Sequence, residues 1–166
     1  MAPDPTFTHF DAKGAARMVD VTTKSETLRL AVASGGVSMR PETLAMILDK
    51  SAAKGDVLEV ARIAGIMAAK RVDMLIPLCH QIALTSVTID FTPDQTHHRV
   101  EITARVTCTG RTGVEMEALT AVAITGLTIY DMCKSVDRAM VIDAIRLVEK
   151  SGGRSGHFVR PTEAKE

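Results

Sequence analysis

Hydrophobic and polar positions change period several times along the chain, and each change marks an element. In TLRLAVAS, residues 27–34, Leu28, Leu30 and Val32 alternate with their neighbours, which predicts a strand. MVDVTT at 18–23 predicts a second strand ahead of it, and Gly35-Gly36 predicts a break or a bulge. From Pro41 the period lengthens. Proline suits the first helical position, so PETLAMILDK predicts a helix running to about Lys50. A second helix is predicted after Asp56, which can cap it, with Glu59 three residues on completing a capping box. Its body, VLEVARIAGIMAAKR, is mostly small and apolar. DMLIPLCHQ reads as an irregular link around Pro77. A hairpin follows: Val87, Ile89 and Phe91 alternate on one arm, Val100, Ile102, Ala104 and Val106 on the other, with TPDQTHH at the turn. The longest helix is predicted over about residues 113–134. It is apolar nearly all round, which implies burial on two sides, one its own sheet and the other a second subunit. MVIDAIRLVE predicts a last strand leading into the Gly-rich KSGGRSGH.

This order predicts an α+β fold, a ferredoxin-like sandwich with a mostly antiparallel sheet and helices packed on one face. Residues 1–16 read as a flexible arm, 17–156 as one catalytic domain and 157–166 as a flexible tail. At 166 residues and 46% apolar, the chain is long enough for one real core.

Composition narrows the function. Acids and bases balance at 20 each, so no global field draws in nucleic acid or an acidic membrane, and an anionic ligand needs a local cluster of Lys and Arg. Four Phe, one Tyr and no Trp leave few rings for stacking bases, which argues against an RNA-binding module. The N-terminus carries no signal-peptide pattern, and no stretch reaches the uncharged apolar length of a membrane span. Cys79, Cys108 and Cys133 are odd in number and scattered, which speaks against zinc and disulfides and for a reducing, cytoplasmic setting.

Several positions carry candidate chemistry. Lys54 of KGD sits on a Gly turn before a capped helix, where backbone N–H groups and an ammonium can make an anion site; a solvated loop lysine is the alternative. His80 of LIPLCH lies in an apolar, Pro-shaped segment and can serve as a general acid or base, or be a satisfied core histidine. Glu117, Thr120, Thr128 and Asp131 form one narrow polar stripe on the long helix, for a ligand or for hydrogen bonds between helices. Asp131 and Lys134, three residues apart, can meet on the helix surface as a proton-transfer couple or as an ordinary ion pair. Glu117 and Asp131 lie roughly 21 Å apart along the axis at about 1.5 Å per residue, so one reaction centre cannot use both from one helix. A pocket shared with a neighbouring chain resolves this. Lys150 and Arg154 flank glycines whose amides can wrap a phosphate, although the spacing is not that of a P-loop.

Taken together, MVDVTTK, TLAMILD, KGDVLEVARIAGIMAAKR, LIPLCH, TGVEMEALTA, LTIYDMCK and KSGG resemble the cyclic pyranopterin monophosphate synthase family of molybdenum cofactor biosynthesis. The likeness covers roughly residues 17–156. It implies a ferredoxin-like homohexamer built as three dimers, with active sites at dimer interfaces. It also implies conversion of (8S)-3′,8-cyclo-7,8-dihydroguanosine 5′-triphosphate to cyclic pyranopterin monophosphate and pyrophosphate, a phosphorus–oxygen lyase reaction. By motif it assigns Asp131 as catalytic acid/base, with Lys134, Lys54 and His80 in the same pocket. Leu78, Cys79 and His80 form one substrate-binding segment, Met116 and Glu117 another, and Arg29 and Lys150 lie on the phosphate side. Gln81 stands where the family most often has Pro. No tightly bound cofactor and no metal site are expected, and magnesium can accompany the substrate triphosphate. The remaining alternative is a non-catalytic nucleotide-binding regulatory module of the same fold.

Overall fold

The computed structural model describes residues 13–51 and 55–161. Lys54 therefore lies outside the described residues, as does most of the expected arm and the end of the expected tail.

The elements run β1 (Thr27–Ser38), α1 (Pro41–Leu48), α2 (Val57–Ala69), α3 (Val72–Leu75), β2 (Leu84–Asp94), β3 (Arg99–Gly110), α4 (Glu115–Cys133), β4 (Val141–Ser151) and β5 (Phe158–Val159). The strands form one sheet in the order β2-β3-β1-β4-β5, and every pairing is antiparallel. On β3, Val100, Ile102, Ala104, Val106 and Cys108 are all fully buried, the period-2 face read from the sequence. That face meets α4, which lies over β1, β3 and β4, while α2 packs along α4 and onto β2. Ala31 pairs with Val106 and Ala33 with Ala104, so small side chains under the helix let it sit close to the sheet.

The helix starts follow their signals. Pro41 stands at the start of α1, and the Asp56 carboxylate accepts the Glu59 N–H at 3.2 Å to cap α2. The Glu59 side chain turns to Arg62 instead of closing the capping box.

Three expectations change. MVDVTT forms no strand: Asp20 accepts the Thr22 N–H at 2.8 Å and the Lys24 N–H closes on the Val21 carbonyl at 3.0 Å, so this backbone bonds to itself in turns. Of the break or bulge expected at Gly35-Gly36, the bulge is what forms. The strand runs through with a register shift against β4, and a side chain at Gly35 would press into Val122 of α4 at 2.8 Å. The second side of α4 is covered by α2 of the same chain, with Gly65 of α2 set against Thr125 and the Ala121 carbonyl of α4. By length and composition α4 could also cross a membrane, yet Ala118, Ala121, Val122 and Ile129 bury it as a core helix. Phe158 and Val159, within the segment read as a tail, pair with Lys150 and Glu149.

Candidate functional site

The register of the sheet brings three distant segments to one end. Thr27 pairs with Gly110, and Leu30 with Ser151. The segment before β1, the turn into α4 and the Gly-rich turn after β4 therefore meet around the N-terminal end of α4. Two cavities adjoin there, of about 580 and 610 Å³, and both are lined by Lys24, Thr112, Gly113 and Glu115.

The first cavity is cationic. Among the described residues, Lys24, Arg29, Arg111, Lys150 and Arg154 line it against one carboxylate, Glu115. Arg29 lies on the inner face of β1, is only 8% exposed and donates from Nε to the Gly110 carbonyl at 3.1 Å. A guanidinium carries five N–H donors, so a buried one at a cavity wall is a ready anion clamp. Lys150 faces Glu115 at 3.5 Å and donates to Ser155. Gly152 and Gly153 take left-handed conformations with φ of 99° and 72°. A side chain at Gly153 would collide with the Arg29 guanidinium, so this turn needs glycine for its backbone and for its neighbour. The Thr27 hydroxyl is buried without a partner among the described residues, a polar atom left for whatever fills the cavity. The start of α4 adds the partial positive charge of a long helix.

The second cavity is more apolar and ends on an acid. Leu78, Cys79 and His80 line it with Met116 and Glu117 from the first turn of α4. Glu117 is 4% exposed. Burial, reinforced by the nearby charges of Glu115 and Asp73, pushes its carboxyl up to about 7. Such a group takes or gives a proton near neutrality, or accepts hydrogen bonds from a ring N–H. Burial first, and the Glu117 charge second, also push the Cys79 thiol up, which keeps it protonated. His80 Nε2 lies 2.7 Å from the Val19 carbonyl.

The structure thus gathers His80, Leu78, Cys79, Met116, Glu117, Arg29 and Lys150 around one pair of cavities. It does not bring Asp131 and Lys134 there within a single chain. Asp131 lies in the last turn of α4 and Lys134 caps its C-terminal end, both exposed, with Lys134 Nζ 2.6 Å from the Asp131 carboxylate. That hydrogen bond raises the Lys134 pKa, so in the single chain this lysine stays an ammonium. The polar stripe between them does not form a shared surface: Glu117 is buried, and Thr128 donates to the Ile124 carbonyl of its own helix at 2.7 Å.

Lys24, Arg111 and Glu115 belong to the site although no sequence signal singled them out. Lys24 and Glu115 stand inside the MVDVTTK and VEME strings, but their convergence depends on strand register, which spacing along the chain does not reveal.

Comparison with known proteins places the chain among named relatives. Residues 18–153 match the model of the MoaC family. Similar curated proteins include cyclic pyranopterin monophosphate synthase of Magnetococcus marinus, 69% identical over 96% of this chain and 98% of its own length. That of Heliobacterium modesticaldum is 61% identical over 95% of this chain and 98% of its own. That of Chloroflexus aurantiacus is 62% identical over 93% and 94%.

Proposed function

The chain belongs to the MoaC family, and on that premise we propose that it catalyses the cyclic pyranopterin monophosphate synthase reaction of molybdenum cofactor biosynthesis. The substrate is (8S)-3′,8-cyclo-7,8-dihydroguanosine 5′-triphosphate, and the products are the cyclic pterin monophosphate and pyrophosphate. The observation that carries the reading is the pair of joined cavities. One is lined by five cations beside a helix start, the other ends on a buried carboxyl, and a molecule with a triphosphate at one end and a guanine-derived ring at the other fits that division.

In this reading Arg29, Lys150 and their cationic neighbours hold the phosphates. Glu117 accepts from the amino and ring N–H groups of the guanine-derived end, with Met116, Leu78 and Cys79 packed around it. The reaction opens the purine-side ring and closes the pterin ring. A ribose hydroxyl then attacks the α-phosphorus, forms the cyclic ester and expels pyrophosphate. Each step moves protons and none needs a hydride. Lys54, Lys134 and Asp131 are the proposed reaction centre: the ammoniums stabilise phosphate charge and donate protons, and Asp131 orients Lys134 or acts as the base. Magnesium would travel with the triphosphate.

The α4 geometry supports a site completed by a second subunit, and the proposed assembly is a cytoplasmic ferredoxin-like homohexamer made of three dimers. The βαββαβ core order and the sheet order favour that fold name. Val60, Ile63 and Met67 form an exposed apolar row on α2, with Ile63 59% exposed, and Leu127 stands out from α4. Rows of this kind mark contact surfaces.

Incubation with the cyclised GTP derivative tests the activity. Release of pyrophosphate with appearance of a cyclic phosphate pterin is expected. Binding of a guanosine triphosphate analogue with no pyrophosphate from the cyclised substrate would instead make the protein a regulatory nucleotide binder.

A further inference from the structure

Between residues 13 and 26 the chain is exposed at every position except Val19, Val21 and Lys24. Those three face the cavities: Val19 and Val21 line the second, and Lys24 lines both. The segment is therefore a strap laid over the site, tied by alternate residues although it belongs to no strand. Its own turn is stiffened by Asp20, which accepts from the Thr22 N–H, and by the Lys24 N–H on the Val21 carbonyl. Downstream, Glu26 faces Arg111 at 3.7 Å. Upstream, the Val19 carbonyl meets His80 Nε2 at 2.7 Å.

A carbonyl oxygen only accepts, so Nε2 must carry the proton. The imidazole nitrogen thus spends its N–H on backbone 61 residues away in sequence. We propose that His80 is a positioning residue of the synthase reaction: its Nε2–H latches the strap at Val19, and the strap's turn then sets Lys24 at the junction of the two cavities. This deepens the functional reading above and rests on it for the identity of the substrate. The latch itself follows from the His80–Val19 contact and from which strap residues are shielded. Lys24 at the junction lies where the phosphate end would pass into the ring-binding end, so misplacing it weakens substrate binding before it alters the chemical step.

The test uses the full chain carrying His80→Ala, His80→Gln, Lys24→Ala and the His80→Ala/Lys24→Ala pair. Hydrogen exchange reads the strap with no substrate present. Steady-state kinetics with the cyclised GTP derivative read the site. His80→Ala should speed amide exchange over residues 19–24 by about ten-fold, as loss of one hydrogen bond allows, and should raise KM more than it lowers kcat. His80→Gln, whose side-chain amide can donate to the same carbonyl, should restore both toward the parent values. In the Lys24→Ala background, His80→Ala should raise KM little further, because both changes remove the same contact. Unchanged exchange in His80→Ala overturns the latch. A His80→Gln protein with parental exchange but the kcat loss of His80→Ala overturns the positioning role, because it would make the imidazole a proton carrier on the substrate. Should the parent protein release no pyrophosphate, the functional reading fails, while the exchange data still decide the latch.

Discussion

Single residues decide the charge state of the site, and Glu117 is the sharpest case. Its carboxyl is raised from 4.5 to about 7 by burial, whereas in the unfolded chain it ionises near its ordinary value. Between those two values the native state holds a proton that the unfolded state has lost. The stability this protonated group contributes is therefore full below about pH 4.5 and disappears as pH climbs through about 7. Glu117→Gln abolishes that loss. Relative to the parent, it should be more stable at pH 8 than at pH 5 by up to about 3 kcal/mol, the worth of such a shift, in denaturant melts at the two pH values. Its turnover should fall in the same preparation, since an amide holds the ring N–H groups less well than a carboxylate. A flat difference across that range would show that Glu117 titrates normally. At the other end of α4, Asp131→Ala and Lys134→Ala should each lower turnover by at least about 100-fold, the lower range for a lost acid–base group, with the melting temperature little changed because both side chains are exposed. Near-parental rates would remove the pair from the mechanism. Sequence pointed to all three of these residues. It could not show that one carboxylate is buried and the other exposed, because residues 117 and 131 differ in the neighbours the fold supplies, not in their spacing.

Elements were most legible where periodicity and punctuation agreed. Pro41 opening α1, Asp56 capping α2, and the alternation of Val100 to Val106 on β3 each carry a local cause that the sequence spells out. Legibility failed where a long-range partner was decisive. Residues 18–23 have the composition of a strand, but none of the described strands pairs with them, so Asp20 and Val21 close the backbone into turns. The partner of α4 was misassigned to another subunit because a helix pattern reports that a face is covered, not what covers it. That α2 fills the role is written in Gly65: a side chain there would meet Thr125 and the Ala121 carbonyl of α4. Gly65→Ala should therefore force the two helices apart and cost about 1–3 kcal/mol, the usual penalty of overpacking, despite the better helix propensity of alanine. Thermal and denaturant unfolding would measure it. A stabilised variant would mean the helices have room to spare, and the close α2–α4 contact described here would be wrong.

At the scale of the whole molecule the decisive fact is that the family's expected site residues fall on two ends of one helix. Arg29, Lys150, His80 and Glu117 surround the cavities at the start of α4, while Asp131 lies in its last turn, fourteen residues beyond Glu117, and Lys134 caps its end. A rigid helix cannot fold back, and at about 1.5 Å per residue the separation exceeds the reach of any side chain. If both groups act on one substrate molecule, the Asp131–Lys134 end must come from another copy. In a two-fold dimer each copy would then lend its pair to the other's cavities. This arrangement has an arithmetic consequence that a self-contained site lacks. Arg29→Ala damages the cavity half of a site and Asp131→Ala the lent half, so each homogeneous variant should be nearly inactive. In a mixed dimer, one site carries both changes and the other carries neither. Refolding the two variants together in equal amounts makes half the dimers mixed, each with one intact site of two, and should return about a quarter of parental turnover. The same mixture without refolding, where subunits have not exchanged, should stay inactive. No recovery after confirmed subunit exchange would place the whole reaction within one chain, and Asp131 and Lys134 would then have to be dropped from it, since they lie at the far end of α4 and line neither cavity.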